Sequence, residues 1–216
     1  MSIDAGAYNR LFSECAAKGA TLVAASKTKP VADIQELYQA GQRDFGENYV
    51  QELLEKQPQL PADIRWHFIG HLQSNKVKQL APFVHLVHGV DSPRLLQEIS
   101  RQGQRTGLPI RCLLQVHIAR EETKFGFDEA GLELLWRERN EFPEKFNHAI
   151  VAGFMGMASF TDDSNQVRKE FRHLKTIADT YLPGGIVSMG MSADYKIALE
   201  EGSNMIRVGS LLFGAR

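Results

Sequence analysis

Short apolar runs alternate with amphipathic stretches along most of this chain. The eight apolar runs are Thr21–Ser26, Arg43–Gly46, Trp66–Gly70, Val84–Val90, Arg111–Ile118, Ala149–Met155, Ile186–Met189 and Met205–Gly209. The stretches between them place apolar side chains on one helix face, as Val31, Ile34 and Leu37 do. Predicted helix N-caps are Ser74, Ser92, Asp128, Ser164 and Ser192. Strands that alternate with helices predict a parallel sheet buried on both faces.

The number of strands decides between two architectures. Eight parallel strands favour a closed (β/α)8 TIM barrel, an α/β fold, over an open doubly wound sheet. An additional helix is expected within residues 1–20, where Tyr8, Leu11 and Cys15 recur on one helix face before Gly19. No Pro/Gly/Ser-rich linker or internal repeat divides the chain, so residues 1–216 are predicted to form a single domain.

Composition narrows the classes of function. The 25 basic and 26 acidic residues give a formal net charge of −1 and form no basic block longer than Lys27-Thr28-Lys29, which argues against nucleic-acid binding. No stretch approaches the about 18 apolar residues of a membrane span, and the N-terminus lacks the apolar run of a secretory signal. Cys15 and Cys112 are expected to be buried thiols. These features predict a cytoplasmic protein without membrane contact.

The chemistry of such a barrel collects where its strands end. The last two strand ends carry small residues, in Met189-Gly190-Met191-Ser192, followed by a predicted helix from Ala193, and in Arg207-Val208-Gly209-Ser210. Backbone N–H groups at a helix start suit a phosphate, and the serines and arginine of these loops can add donors. Asp194 would repel a phosphate unless it points outward. A phosphate site and a pair of plain tight turns are both consistent with this pattern.

Several lysines follow predicted strands. Lys27 closes the first strand and shares a strand face with Val23 and Ala25. If this face points inward, Lys27 reaches the barrel mouth, where a partly dry site lowers a lysine pKa and frees the amine to attack an aldehyde. A solvated lysine at a strand end is the alternative. Spacing alone does not choose among Lys27 and three further rim lysines, Lys29, Lys76 and Lys124.

The seven histidines form no recognisable metal motif. His67 and His71 are four apart across a strand end, and His85 and His88, three apart in a strand, are expected to face opposite sides. No cysteine or carboxylate adds a matching spacing, so no metal site is predicted. Motifs for a serine nucleophile elbow, a phosphate loop and a dinucleotide site are also absent from the sequence.

A set of short motifs, in order along the chain, resembles one known family. They are SKTKP at 26–30, FGENY at 45–49, WHFIG at 66–70, LQSNK at 72–76, KFG at 124–126, GFM at 153–155, MGMS at 189–192, IRVGS at 206–210 and FGAR at 213–216. The chain is similar, from Thr21 to Arg216, to the pyridoxal 5′-phosphate (PLP) homeostasis proteins. That family shares the barrel of the alanine racemase N-terminal domain.

The resemblance implies roles for individual residues. It selects Lys27 for a Schiff base with PLP, and it implies that Ser192, Gly209 and Ser210 hold the phosphate. Arg207 would lie at the pyridine nitrogen or the phosphate edge, and Asn48 and Met189 would line the ring. Two sites depart from the commonest family sequence, Gly156-Met157-Ala158 and Asn204. Both are expected near the cofactor, where they would tune the ring pocket.

Three functions are compatible with these features. The resemblance implies a PLP-binding protein that buffers or delivers the cofactor, with no established catalytic reaction and no catalytic residue. Such a protein is expected to be a monomer that contacts apo-enzymes only transiently. A PLP-dependent amino-acid racemase needs a second acid/base on the far face of the substrate, and Tyr49 and Tyr195 are expected to pack on helices instead. A barrel that binds another phosphorylated ligand without a Schiff base is the third, and the yellow colour of a PLP protein would exclude it.

Overall fold

In the computed structural model, eight parallel strands close into a barrel, which confirms the predicted fold class. The structure describes residues 3–121 and 125–214. The strands are β1 (Thr21–Ala25), β2 (Asp44–Glu47), β3 (Arg65–Phe68), β4 (Leu86–Val90), β5 (Ile110–Gln115), β6 (Ala149–Met155), β7 (Ile186–Ser188) and β8 (Met205–Val208). Each strand pairs with the next one in sequence, and β8 closes on β1, where Val23 lies opposite Arg207.

Helices surround the barrel. They are α1 (Ala5–Ala17), α2 (Val31–Gln39), α3 (Val50–Lys56), α4 (Val77–Leu80), α5 (Pro93–Thr106), α6 (Glu129–Glu141), α7 (Ser164–Tyr181), α8 (Tyr195–Glu200) and α9 (Ser210–Phe213). The predicted additional helix is α1, which begins at its N-cap Asp4 and buries Tyr8, Leu11 and Cys15 in the outer core. The Asp4 N–H donates to the Leu212 carbonyl at 2.9 Å, which ties the start of α1 to the end of the barrel sequence.

Strand alternation divides the core into two parts. Side chains such as Leu22 and Ala24 point outward and pack with the helices. Their neighbours point into the barrel, where Val23, Leu86 and Met205 belong to a separate inner cluster. Among the described residues, no helix is both long enough and apolar enough to span a membrane.

Local helix starts differ in detail from the predictions. Asp128 caps α6 as predicted, with its carboxylate accepting from the Gly131 N–H. Asp163, rather than Ser164, caps α7, because its carboxylate accepts from the N–H groups of Asn165 and Gln166. Ser74 is the first residue of a short 3₁₀ turn that leads into α4, rather than the residue that caps an α-helix. Cys15 and Cys112 are buried free thiols, as expected.

Candidate functional site

A cavity of about 370 Å³ lies at the carboxyl ends of the strands. Six of the seven predicted cofactor residues line it: Lys27, Asn48, Ser192, Arg207, Gly209 and Ser210. They come from the ends of β1, β2, β7 and β8, which are far apart in sequence. The closed barrel brings them together because parallel strands end at the same rim.

Met189 is the predicted residue that the structure does not bring to this cavity. It is fully buried in the outer core, between the barrel and its helices. The reason is strand alternation, since Ser188 points inward and the next side chain must point outward. The apolar lining is supplied instead by Ile69, Met157 and Met191.

Two of the four rim lysines lie at the cavity. Lys27 and Ala25 both line it, so this face of β1 points inward. Lys29 also reaches the cavity wall, and its ammonium group donates to the carbonyls of Phe213 and Gly214, at 3.0 and 3.4 Å. Lys76 is not part of the lining, and Lys124 lies outside the described residues.

The turn that carries Lys27 has a strained backbone, which two hydrogen bonds stabilise. Thr28 has a φ of +63°, in the left-handed region that a β-branched residue rarely adopts. Its N–H donates to the Glu52 carboxylate at 2.6 Å, and the Lys29 N–H donates to the Ser26 carbonyl at 3.0 Å. These bonds compensate for the strain and fix the direction in which the Lys27 side chain leaves the strand.

A buried ion cluster lies beneath this turn. The Lys56 ammonium group donates to the Ser26 carbonyl at 2.9 Å and to carboxylate oxygens of Glu47 and Glu52 at 2.8 and 2.7 Å. Burial raises the pKa of Glu47, although hydrogen bonds from Lys56 and Ser26 oppose the rise. The sequence analysis missed this cluster. The i, i+4 spacing of Glu52 and Lys56 on α3 was the signal available for it.

Arg207 forms part of the cavity floor. Its guanidinium group donates to the Ser188 carbonyl and hydroxyl, at 2.9 and 2.6 Å, and to the Gly156 carbonyl at 3.3 Å. Burial lowers the pKa of Arg207 to about 10, so the side chain stays positively charged at neutral pH. The floor therefore presents a fixed cation that is anchored to β7 and to the end of β6.

The loop after β7 differs from the predicted helix start. Residues 192–194 form a turn, and α8 begins at Tyr195 instead of Ala193. The Asp194 carboxylate turns back and accepts from the Met191 N–H at 2.6 Å, so this donor is already satisfied. A phosphate here would depend on hydroxyl groups, on the backbone beside Ser192, Gly209 and Ser210, and on nearby cations, rather than on the dipole of a helix that starts at Ala193.

The lining also contains a polar atom that lacks a protein partner. Asn48 Oδ1 is buried and accepts no hydrogen bond from the described residues. Buried polar atoms are nearly always paired, so such an atom in a cavity wall marks a position where a ligand can bind. Together with the Lys27 amine and the Arg207 cation, this atom makes the cavity suitable for an anionic, aldehyde-bearing ring compound.

The two departures from the family sequence lie at opposite ends of the barrel. Met157 lines the cavity, as expected. Asn204 does not line the cavity, because it immediately precedes β8, at the opposite end of the barrel. Its side-chain amide nitrogen donates to the Gly185 carbonyl, and its side-chain oxygen accepts from the Val187 N–H. The expectation that Asn204 tunes the ring pocket is therefore wrong.

Solved structures of two kinds of protein share this fold. PipY of Synechococcus elongatus, solved with PLP bound, superimposes with a TM-score of 0.86 at 33% identity, over 97% of this chain and 99% of that chain. The alanine racemase of Streptomyces coelicolor gives a TM-score of 0.75 at 17% identity over 100% of this chain and 60% of its own. The racemase likeness shows the fold alone.

Sequence comparison identifies the family. The family model for the alanine racemase N-terminal domain matches residues 5–216. The pyridoxal phosphate homeostasis protein of Aquifex aeolicus is 38% identical over 205 residues, 91% of this chain and 87% of the relative. The human protein of the same name is 38% identical over 212 residues, 90% of this chain and 76% of the relative. The chain therefore belongs to the pyridoxal phosphate homeostasis proteins, within the alanine racemase N-terminal domain family.

Proposed function

We propose that this protein binds PLP in the cavity at the strand ends and takes part in buffering or delivering the cofactor. The observation that carries the proposal is the convergence of the Lys27 amine, the orphan Asn48 Oδ1 and the Arg207 cation on one cavity of about 370 Å³. PLP supplies an aldehyde for a lysine amine, a polar ring and a phosphate, and each has a matching group here.

Each lining residue has a role in holding the cofactor. Lys27 would form a Schiff base, in which its nitrogen bonds to the aldehyde carbon and one water molecule leaves. Arg207 stays protonated and has no acceptor, so it would donate toward the ring from the floor. Ser192, Gly209 and Ser210 form the wall suited to the phosphate, and the charges of Lys29 and Arg207 make that side of the cavity attractive to an anion.

The phosphate assignment predicts discrimination between PLP and pyridoxal. Loss of the charged hydrogen bonds to a phosphate should cost about 3 kcal/mol, so we expect pyridoxal to bind roughly a hundredfold more weakly. Equilibrium titration with both aldehydes measures the ratio. The Ser210→Ala protein should lose affinity for PLP but hardly change its affinity for pyridoxal. Equal affinities of the unaltered protein for the two compounds would remove the case for this phosphate wall.

A carrier, rather than a racemase, is favoured because the described lining offers no tyrosine as a second acid/base. In residues 3–121 and 125–214, no tyrosine lines the cavity. Tyr49 is 56% exposed, which corrects the expectation that it packs on a helix, whereas Tyr195 is partly buried against the outer core, as expected. Racemisation needs a proton donor or acceptor on each side of the substrate carbon, and the described wall offers Lys27 for one side.

Transfer and exchange experiments separate the two functions. The PLP-loaded protein is mixed with an apo-enzyme that requires PLP, and recovery of that enzyme's activity is compared with recovery in free PLP at equal concentration. In parallel, L- and D-amino acids are incubated with the loaded protein in deuterated water. We expect transfer, and α-proton exchange much slower than about 1 s⁻¹. Exchange at an enzymatic rate would contradict the carrier function and support a racemase.

A further inference from the structure

Three potential metal ligands converge at the amino ends of the strands, on the opposite side of the barrel from the cofactor cavity. Asp44 begins β2, His67 lies in β3, and His85 immediately precedes β4. One ligand atom from each lies within 4.8 Å of the other two. The spacing in sequence hides this cluster, because the three residues come from neighbouring elements of the barrel, where Asp44 pairs with Arg65 two residues before His67, and His67 pairs with Leu86 one residue after His85.

This arrangement corrects the expectation that His85 and His88 face opposite sides. The rings of both residues pack against that of His67, with centroid distances of 5.4 and 5.1 Å. Strand alternation does not apply between them, because β4 begins only at Leu86. The sequence argument against a carboxylate ligand also fails, since Asp44 comes from the adjacent strand.

Outer hydrogen bonds orient two of the three candidate ligands. Arg65 Nε donates to Asp44 Oδ1 at 2.7 Å, and Arg65 also holds the second carboxylate oxygen. His67 Nδ1 lies 2.9 Å from His88 Nε2, which leaves His67 Nε2, 3.0 Å from Asp44 Oδ1, on the side of the ion. Metal-binding imidazoles and carboxylates are commonly held by such partners on the side away from the ion.

The third candidate ligand, His85, is held by packing. Its ring lies against that of His67 at a centroid distance of 5.4 Å, and its ring nitrogens form no hydrogen bond with another described residue. The lone pair of a His85 ring nitrogen can therefore reach a metal ion without the loss of a hydrogen bond.

A second cavity gives access to the cluster. It has a volume of about 310 Å³, and its wall includes all three candidate ligands together with Arg65 and Arg111. His85 is only partly buried, and both arginines are exposed, so the cavity opens to solvent. An ion can enter from this side, and the volume leaves room for water as a further ligand.

We propose that Asp44, His67 and His85 bind one divalent transition-metal ion of the Zn²⁺ type at the amino-terminal mouth of the barrel. Two imidazole nitrogens and one carboxylate oxygen, with an open position for water, are a ligand set that suits Zn²⁺ or Co²⁺. This site is separate from the proposed PLP site and does not depend on it.

The charge of a nearby arginine should affect the metal affinity of this site. Asp44 neutralises Arg65, whereas Arg111 forms no ion pair with a described carboxylate and lies on the same cavity wall. Its positive charge opposes a cation and lowers the affinity of the unaltered site. Removing it should strengthen metal binding about threefold to tenfold, the opposite of what loss of a ligand would do.

A chain of buried hydrogen bonds connects this site to the cofactor cavity. From His67 it continues through His88 to Ser188, with His88 Nδ1 3.1 Å from Ser188 Oγ, and Ser188 Oγ accepts from Arg207 at 2.6 Å. Without metal, the Asp44 carboxylate sets the direction of the chain. His67 donates from Nε2 to Asp44, His88 donates from Nε2 to His67, and the Ser188 hydroxyl donates to His88.

Metal binding reverses this chain. An ion on His67 Nε2 displaces the proton to Nδ1, which then donates to His88 Nε2, and His88 must carry its own proton on Nδ1. Both imidazoles remain neutral and no proton leaves the protein. Ser188 Oγ changes from a donor toward His88 to an acceptor from both His88 and Arg207. Metal occupancy thereby alters the hydrogen bonding of the cation on the cofactor cavity floor.

Cobalt titration of the tag-free, PLP-free protein tests the site. We expect one Co²⁺ per chain, visible absorption typical of nitrogen and oxygen ligands, and displacement by Zn²⁺. His85→Ala should weaken binding at least about tenfold, because it removes a ligand, and Arg111→Ala should strengthen it. His173→Ala, which changes an exposed histidine on α7, is the matched control and should have no effect. Circular dichroism checks that each variant is folded.

Specific results would overturn the site or the coupling. Absence of saturable binding, equal weakening by His85→Ala and His173→Ala, or weaker binding in Arg111→Ala would overturn the metal site. Two-bond proton–nitrogen couplings of ¹⁵N-labelled histidines report which ring nitrogen is protonated. Zn²⁺ should move the proton from Nε2 to Nδ1 in both His67 and His88 of the PLP-free protein. A bound ion with no change at His88 would overturn the coupling to Arg207.

Discussion

Borohydride reduction of the PLP-loaded protein is expected to fix the cofactor covalently on Lys27, and the Lys27→Ala protein is expected to give no adduct. The structural reason is that Lys27 follows β1 on the strand face that points into the cavity, and the family resemblance assigns the Schiff base to this lysine. Mass spectrometry of the digested, reduced protein locates the adduct. Loss of the covalent bond should also weaken PLP binding at least about tenfold, equivalent to about 1.4 kcal/mol.

Lys29→Ala is the matched control for this prediction. It removes a neighbouring lysine from the same turn and leaves Lys27 in place, so the reduced adduct should remain. Some loss of affinity is expected, because the change removes a positive charge from the cavity wall and frees two carbonyls. An adduct that maps to Lys29, Lys56, Lys76 or Lys124 in the unaltered protein would show that Lys27 is the wrong attachment point.

Lys56→Met is expected to produce the largest loss of stability. It removes the cation that compensates the fully buried Glu47 carboxylate, and breaking a buried pair from one side costs about 3–5 kcal/mol. For a chain of this size the melting temperature should fall by roughly 10 °C. Glu52→Gln is the matched control, because it removes a charge from the partly exposed partner of the same ammonium group while its side-chain oxygen can still accept from the Thr28 N–H, and it should cost less than about 1 kcal/mol.

The loss of stability in the Lys56→Met protein should depend on pH. The folded-state pKa of Glu47 is already raised above its usual value by burial, and loss of Lys56 raises it further. A group with a raised folded pKa favours the folded state below its unfolded pKa, and this stability is lost as pH rises through the folded value. The difference in unfolding free energy between the variant and the unaltered protein should therefore be smallest in weak acid and increase as pH rises.

A double variant separates the charge effect from packing. Adding Glu47→Gln to Lys56→Met removes the uncompensated carboxylate, so part of the lost stability should return. Thermal melts of the unaltered protein, the two single variants and the double variant, from pH 5 to pH 8, give the coupling energy between Glu47 and Lys56. A pH-independent deficit, or no recovery in the double variant, would indicate that Lys56 contributes through packing alone.

The alternation of apolar runs and helical stretches was sufficient to predict the barrel. Eight buried strands separated by amphipathic helices have few ways to cover both faces of a parallel sheet, so the fold class followed from periodicity. The location of the site at the strand ends followed from the fold. The choice of Lys27 among four lysines needed the family resemblance, because residue spacing treats every strand-end lysine alike.

Other features depended on orientation and register, which the sequence pattern does not contain. The family resemblance assigned Met189 to the ring pocket, yet alternation at the end of β7 turns its side chain into the outer core. The helix expected at Ala193 begins two residues later, because the Asp194 carboxylate folds back onto the Met191 N–H. One residue of displacement is enough to move a side chain from one face of a strand to the other.

The sequence by itself determined the periodicity, and through it the barrel, the additional helix and the rim where chemistry would occur. Only the tertiary structure placed Lys56 beneath the Lys27 turn and brought Asp44, His67 and His85 together. These groups come from segments whose separation in sequence carries no fixed spacing. Their meeting depends on how far each parallel strand is shifted against the next, and that shift is decided by packing of the whole barrel.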